Sequence, residues 1–548
     1  MSDAFIICSN LSFSWPDGTP VFRDLSFTVG GGRTGLVAPN GAGKTTLLKL
    51  IAGEYRPTRG TVSAEGVTGY LPQNLPLAGD LTVADVLGIA PVIRALDAVE
   101  SGDASEEHFA VIGDDWDVEE RTRPQLERLG LGDVGLARRL ATLSGGQAVS
   151  LGLAAQLLKE PDVLLLDEPT NNLDLAARRM LYGVLEGWNG GLLLVSHDRS
   201  LLDRMDRMDR IAELDRSEVR FYGGNFTEYS QALAAERDAA EKNLRHAEQD
   251  VKREKRQMQQ ARERAARRAA TAGRNVKDAG LPKIVAGALQ RRAQESAGKA
   301  DDTHAARVSQ ARARLGEAGR AVRDEQKLTL ELPGTTVPAG RTVFAGERMQ
   351  VRYGEQALFA GDGLDLVIRG PERIGLTGPS GAGKSTLLRV INGDLDAGGG
   401  GTRRAVGRVA YLSQRLDLLD PDRSVADNLA AFAPAMLAAE RMNLLARFLF
   451  RGSRIHLPAG VLSGGERLRA TLACVLYAEP APQLLLLDEP TNNLDLVSAG
   501  QLESALLAYE GAFVVVSHDE RFLAGIKADR WLDLSAGRLA ETGPPGAD

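Results

Sequence analysis

The strongest pattern in the chain is a set of short, wholly apolar runs that end in acids. Val163–Leu166 and Leu484–Leu487 each lead into Asp-Glu-Pro, and Leu192–Val195 and Phe513–Val516 each lead into Ser-His-Asp. Such runs, with no polar alternation, predict strands buried on both faces, as in a parallel sheet covered by helices. Phe27–Val37 reads as strand sequence broken by a glycine turn, and it passes into the helix-like NGAGKTTLLKLIAG. From about Gln231 the period changes. Leu244, Ala247, Val251, Met258, Ala261 and Ala265 recur at helical steps, with Glu254 interrupting, and Val308, Ala311, Leu315, Ala318 and Val322 repeat the pattern. Two long helices with thin apolar seams, packed antiparallel as a hairpin, are predicted there. The first runs about 40 residues, or ~60 Å at ~1.5 Å per residue. The segment from Thr271 to Asp302 lies between them, with the helix breakers Gly280 and Pro282 amid Arg274, Lys277, Lys283, Arg291 and Arg292.

The apolar runs belong to a duplicated set. Ala38–Thr46, APNGAGKTT, returns as GPSGAGKST at Gly378–Thr386, and each copy is followed in one order by a glutamine, an SGG turn, the Asp-Glu-Pro and the Ser-His-Asp. The predicted architecture is α/β: two P-loop nucleotide-binding domains, at residues 1–230 and 336–548, joined by a basic helical hairpin at 231–335. In the first P-loop, Asn40, Gly41, Ala42, Gly43, Lys44, Thr45 and Thr46 are placed to wrap phosphates. The glycines let backbone N–H groups turn inward, Lys44 brings charge to the β- and γ-phosphates, and Thr45 offers Mg²⁺ a hydroxyl. Ser380, Gly381, Ala382, Gly383, Lys384, Ser385 and Thr386 repeat the set. Ala38 stands where the template has its first glycine, at little expected cost because that residue leads out of a strand. Asp167 and Asp488 end buried strands and suit a Mg²⁺ shell, with Gln73 and Gln414 reaching the metal and the attacking water. Glu168 and Glu489 follow, placed to take a proton from that water. His197 and His518 each lie 30 residues beyond the aspartate, which points to one shared task, contact with the γ-phosphate.

LSGGQ at Leu143–Gln147 and LSGGE at Leu462–Glu466 resemble the signature turn of ATP-binding-cassette ATPases. The resemblance covers nearly all of residues 1–230 and 340–540. It implies that Ser463, Gly464 and Gly465 close the Lys44 site, while Ser144, Gly145 and Gly146 close the Lys384 site. Asp174 and Asp495, in the TNNLD runs, would couple the two. Trp15 and Tyr353 fit the adenine-stacking position. ATP and Mg²⁺ are the implied cofactors, and the two cassettes of one monomeric chain pair with each other. From Lys44 to Ser144 the first copy is 21 residues longer than the second is from Lys384 to Ser463. The surplus falls within Asn74–Thr142, which includes the acidic, loop-like VESGDASEEHF, and reads as a contact arm or a surface loop.

Composition changes this picture at two points. Only Cys8 and Cys474 occur, in no metal-ligand spacing, and no stretch nears the ~20 apolar residues of a membrane span. With no secretory leader pattern, a cytoplasmic protein is expected. The net charge of −7 hides an asymmetry. Residues 231–330 hold 23 Lys and Arg against 14 Asp and Glu, a net of +9, which leaves −16 on the flanking modules. Arginine pairs with phosphate and stacks on bases, so the connector reads as a contact for structured RNA.

Two cassettes in one chain with a basic helical hairpin between them resemble the ABC-F family of translation factors and antibiotic-resistance proteins. The resemblance implies binding at the ribosomal E site with ATP clamping the cassettes. The connector then reaches toward the P-site tRNA and the 23S rRNA of the peptidyl-transferase centre, with no dedicated membrane partner. Ribosome protection against an antibiotic is the expected role, with a housekeeping translation factor or an exporter's ATPase subunit as alternatives. A DNA-repair ATPase would carry a far longer coiled coil or zinc cysteines.

Overall fold

The computed structural model describes residues 4–544, apart from 74–80, 172, 205–207, 216, 279–301, 320–331, 333, 399 and 493. The chain forms two compact units, one of residues 1–226 with 327–548 and one of residues 227–326. In the first unit the apolar runs become the middle of two six-stranded sheets with one topology. The strands of the first lie in the order Thr68–Leu71, Val163–Asp167, Gly191–Val195, Arg33–Val37, Met208–Asp215, Glu218–Gly223, all parallel except the last. Those of the second run Arg408–Leu412, Pro482–Asp488, Ala512–Val516, Arg373–Thr377, Arg530–Ser535, Arg538–Thr542, with the same single reversal. Every residue of Val163–Asp167 and Gly191–Val195 is buried. Each leucine there contributes about 1.5–3 kcal/mol by leaving water, and a side chain on either face finds a helix to pack against. A three-stranded antiparallel sheet flanks each large one, Pro20–Gly30 with Ala4–Ser14 and Arg59–Ala64 in the first cassette.

Register places the chemistry. Leu36 and Asp167 both pair with Val195, and Leu376 and Asp488 both pair with Val516. The P-loop, the Asp-Glu pair and the histidine therefore leave three neighbouring strands at one level, at their carboxyl ends, where open α/β sheets place their ligands.

Among the described residues, the added length of the first cassette includes extra helix. Ala90–Glu100, Glu106–Ile112 and Val118–Arg128 follow the short helix Val83–Leu87, where the second cassette has the α-helices Val425–Phe432 and Ala438–Arg447 and the 3₁₀ helix Gly452–His456 before its SGG turn. VESGDASEEHF is thus a helix end, a turn at Gly102 and a helix start rather than one loop.

In the second unit the first helix runs Phe226–Asp278, 53 residues rather than about 40. It continues through Thr271–Asp278, which the sequence reading gave to the inter-helix segment, because a lone Gly273 costs only ~1 kcal/mol in a helix. Residues 302–319 are helical too. The predicted seams are the less exposed positions of both. Val251, Val308 and Ala311 are buried, and Leu244, Ala247, Met258, Ala261 and Ala265 are half-buried, as is the interrupting Glu254. Arg274 and Lys277 fall in the long helix, but their side chains, like all of Lys283, Arg291 and Arg292, lie outside the described residues.

Candidate functional site

Each P-loop turns on itself before its helix. The Ala42 amide donates to the Pro39 carbonyl and the Ala382 amide to Pro379, both at 3.2 Å. Gly43 and Gly383 cap the helices Lys44–Ile51 and Lys384–Asn392 with φ of 95° and 97°. A Cβ on Gly43 would stand 2.7 Å from Val21, so the position is closed to other residues both by conformation and by space. The first glycine of the template behaves differently in the two copies. Gly378 has φ 137°, and a Cβ there would meet the Leu534 carbonyl oxygen at 2.1 Å, whereas Ala38 takes a negative φ. Both keep the carbonyl that receives the loop lysine: Lys44 Nζ donates to Ala38 O at 3.0 Å and Lys384 Nζ to Gly378 O at 2.6 Å. Gly378→Ala is expected to weaken ATP binding by at least about tenfold, ~1.4 kcal/mol, in a chain whose other loop is disabled by Lys44→Ala. Ala38→Gly, in the matching Lys384→Ala chain, should change it by less than about twofold. Equilibrium binding of a fluorescent ATP analogue reads both.

The carboxylates lie where the strands end. Glu168 and Glu489 take left-handed φ values of 48° and 45°, with their amides donating to Val195 O at 2.8 Å and Val516 O at 2.9 Å. Two non-glycine residues held alike in a costly conformation mark a functional constraint. The His197 amide donates to Glu168 Oε2 at 3.1 Å, and His197 Nε2 lies 3.2 Å from Glu168 Oε1 and 2.8 Å from Lys44 Nζ. In the second copy His518 Nε2 stands 3.3 Å from Glu489 Oε1. Burial pushes both glutamates up to about 7, opposed most by Lys44 at Glu168 and by Arg178, then Lys384, at Glu489. Burial, then the adjacent lysine, holds His197 down at about 3 and His518 at about 4, so both imidazoles are neutral. A carboxylate poised near neutrality beside a neutral imidazole can accept a proton and orient a phosphate at physiological pH.

A divalent cation fits this donor set. Asp167 is buried, and neither of its oxygens accepts a hydrogen bond from any described residue. Thr45 lies close enough to the Asp167 carboxyl to oppose the upward push of burial. Asp488 is buried likewise and accepts a hydrogen bond from the Tyr411 hydroxyl at 3.0 Å. Among the described residues no three His, Cys, Asp or Glu side chains converge on one point. Mg²⁺ does not require that, since it is held by one or two protein oxygens with the rest from phosphate and water.

The first site is shared between cassettes. A cavity of about 630 Å³ is lined by Trp15, Gln73, Lys44, Glu168, His197 and, from the other cassette, Gly464. That volume lies in the range of small-molecule sites. Gly464 opens the helix Gly464–Leu476, whose N-cap Ser463 and Glu466 satisfy each other's amides in a capping box. Ser144 and Gln147 do the same for Gly145–Leu157. The final Gln or Glu of each SGG run is thereby a cap residue, and the glycines leave the helix N-terminus open to an anion. The TNNLD aspartates cross reciprocally. The Asn40 amide donates to Asp495 Oδ2 at 2.9 Å and the Ser380 amide to Asp174 Oδ2 at 3.2 Å. Asp174 and Asp495 are also N-caps of the next helices, so each fixes its own helix and the opposite P-loop together.

Of the remaining predicted residues, Tyr353 is exposed with its hydroxyl 3.4 Å from Thr386 Oγ1, beside the second loop. Gln414 follows the strand Arg408–Leu412 and is exposed. Trp15 packs edge-on against Phe13 and Tyr55 with centroids 5.3 and 5.9 Å away. Sequence reasoning missed Asn171, which lines the first cavity, and Tyr411 on Asp488. It also missed Arg178, which enters the second site from the first cassette.

The ABC transporter family model matches residues 22–171 and 362–492, about half of the chain. The chain is 34% identical to the tylosin resistance ATP-binding protein TlrC of Streptomyces fradiae, across 92% of this chain and 93% of that protein. It is 31% identical to the energy-dependent translational throttle protein EttA of Mycobacterium tuberculosis, across 90% and 85%. Among solved structures, an archaeal ribosome recycling factor in complex with a ribosomal stalk protein superposes with a TM-score of 0.57 at 20% identity, covering 96% of this chain and 87% of that one; this likeness is one of fold. The duplicated cassettes and these relatives agree: the chain is an ATP-hydrolysing member of the ABC-F family of ATP-binding-cassette ATPases.

Proposed function

We propose that this ATPase works on the ribosome in the cytoplasm, as a monomer whose two cassettes close on Mg·ATP. The SGG turn of each cassette completes the site of the other, with Glu168 and Glu489 as bases and His197 and His518 holding the γ-phosphate. Thr45, Gln73 and Asp167, and Ser385, Gln414 and Asp488, serve the metal, which supplies charge neutralisation between the phosphates. The closed form sits at the E site, and the basic connector reaches the P-site tRNA and the 23S rRNA near the peptidyl-transferase centre. Its effect is to protect translation from an antibiotic.

The observation that carries this reading is the charge asymmetry. A segment of net +9 joins two modules of net −16, so attraction for RNA phosphate is concentrated in the connector. The relative named for tylosin resistance, matched along nearly its whole length, supports a protective role. The relative named as a translational throttle favours a second reading, a housekeeping translation factor. Translation in a reconstituted system inhibited by a macrolide such as tylosin distinguishes them. Rescue by the chain with ATP, lost in the double Glu→Gln variant, supports protection. Altered synthesis in the absence of any drug, with no rescue across a drug panel, supports the housekeeping role.

Electrostatic contact with RNA has its own consequence. Ribosome affinity should fall steeply with salt, losing about 10³-fold or more between 50 and 200 mM if six or more phosphates are contacted. Replacing Arg291 and Arg292 by alanine should flatten that slope by roughly two charges while leaving ATP affinity unchanged. A salt-independent affinity contradicts the proposed contact.

A further inference from the structure

The two helices that follow the TNNLD runs, Leu175–Glu186 and Leu496–Ala508, hold equivalent places, yet they carry different chemistry into the opposite cassette. Four residues past the capping aspartate the first has Arg178 and the second has Ala499. Arg178 is 7% exposed. Its Nε donates to the Leu173 carbonyl at 3.2 Å, and its Nη1 donates to Asp198 Oδ2 at 3.2 Å and, across the interface, to the His518 carbonyl at 3.3 Å. The Tyr182 hydroxyl also donates to Asp198 Oδ2, at 2.7 Å. His518 in turn lies against the Glu489 carboxylate, its Nε2 3.3 Å from Oε1. One residue of the second cassette is thus held at its carbonyl by Arg178 and meets Glu489 with its ring. On the reciprocal side Ala499 offers no side-chain polar atom. The corresponding cross-contact is made a turn later, where Arg199 of the first cassette meets Glu503 at 2.8 Å, two residues beyond His197.

A guanidinium this buried is held in place by its partners, because an unpaired charge there costs several kcal/mol. Its bond to the His518 carbonyl exists only with the cassettes together. Among the described residues no side chain of the second cassette donates to the His197 carbonyl, and His197 is set by contacts within its own cassette.

We propose that Arg178 is a trans-acting positioning residue for the Lys384 site alone, fixing the His518 segment against Glu489 when the cassettes close, so that the two ATP sites are built unequal. This rests on the reading of Glu168 and Glu489 as the two bases. Beside the Asp174–Ser380 contact, the Lys384 site then depends on closure through Arg178, and the Lys44 site depends on the Asp495–Asn40 contact with no counterpart to Arg178 among the described residues.

The test uses the full chain in single-turnover hydrolysis of ATP. Glu168→Gln leaves the Lys384 site to be read, and Glu489→Gln leaves the Lys44 site. Adding Arg178→Met should slow the burst in the Glu168→Gln chain by at least about tenfold with half-saturation nearly unchanged, a loss of positioning rather than of binding. In the Glu489→Gln chain the burst should change by less than about twofold. Arg178→Lys, which keeps a donor able to reach the same carbonyl, should recover part of the rate and also serves if the methionine variant does not fold. Equal losses in both chains would make Arg178 a general brace and overturn the proposal, as would no loss in the Glu168→Gln chain. If neither Glu→Gln change alone removes a hydrolysed equivalent, the base assignment itself fails and takes the proposal with it.

Discussion

A chain carrying both Glu168→Gln and Glu489→Gln should bind ATP normally and hydrolyse it about 10²–10⁴-fold more slowly, the range lost with a general base. The substitution is nearly isosteric, so the strained backbone at both positions, φ 48° and 45°, is undisturbed. What is removed is the capacity to take a proton. Burial holds each carboxyl near 7, within reach of both protonation states, while the neighbouring imidazoles stay neutral and cannot replace it. The variant should accumulate with nucleotide trapped between the cassettes. Steady-state phosphate release measures the loss, and turnover within about threefold of the parent would remove both glutamates from the mechanism.

The second large effect crosses the interface. Gly464→Asp should slow hydrolysis at the Lys44 site by at least about 100-fold, the scale of losing one preorganised oxyanion donor. Gly464 lies 420 residues from Lys44 in sequence and in the other cassette, yet both line one cavity. An aspartate there would set negative charge against the γ-phosphate at the helix N-terminus that is otherwise favourable to it. Measured in a Glu489→Gln chain, the loss reports on the Lys44 site only. Undiminished hydrolysis would mean that the cavity does not act as one shared site.

The sheet was readable from the sequence because its strands are buried on both faces, which leaves four- and five-residue apolar runs with no helical alternative of that length. The stalk was readable for the opposite reason: its seam is so thin that Val251, Val308 and Ala311 stand out against a charged background. Its first helix proved longer because nothing after Ala270 breaks it before Gly280, and one glycine alone does not stop a helix. The helices within residues 90–128 were missed because the reading rested on VESGDASEEHF, which is the junction between two of them. In the site, residues whose role is local were legible from motif spacing, as with the two P-loops and the Asp-Glu pairs. Residues whose role depends on the other cassette were reached only through the family resemblance, as with Gly464, Asp174 and Asp495, or not at all. Arg178 reads as an ordinary polar position of an amphipathic helix, and only the packing shows that it is buried against His518 of the opposite cassette. Tyr411 was missed likewise, because its contact with Asp488 follows from strand pairing and not from spacing.

The central claim is an ATP-clamped factor on the ribosome, and its most direct test is co-sedimentation of the double Glu→Gln chain with 70S ribosomes. With ATP the variant should pellet with ribosomes at near-stoichiometric amounts, and without nucleotide it should stay in the supernatant. Absence from the pellet in both states would contradict the ribosomal reading while leaving the paired ATPase sites standing.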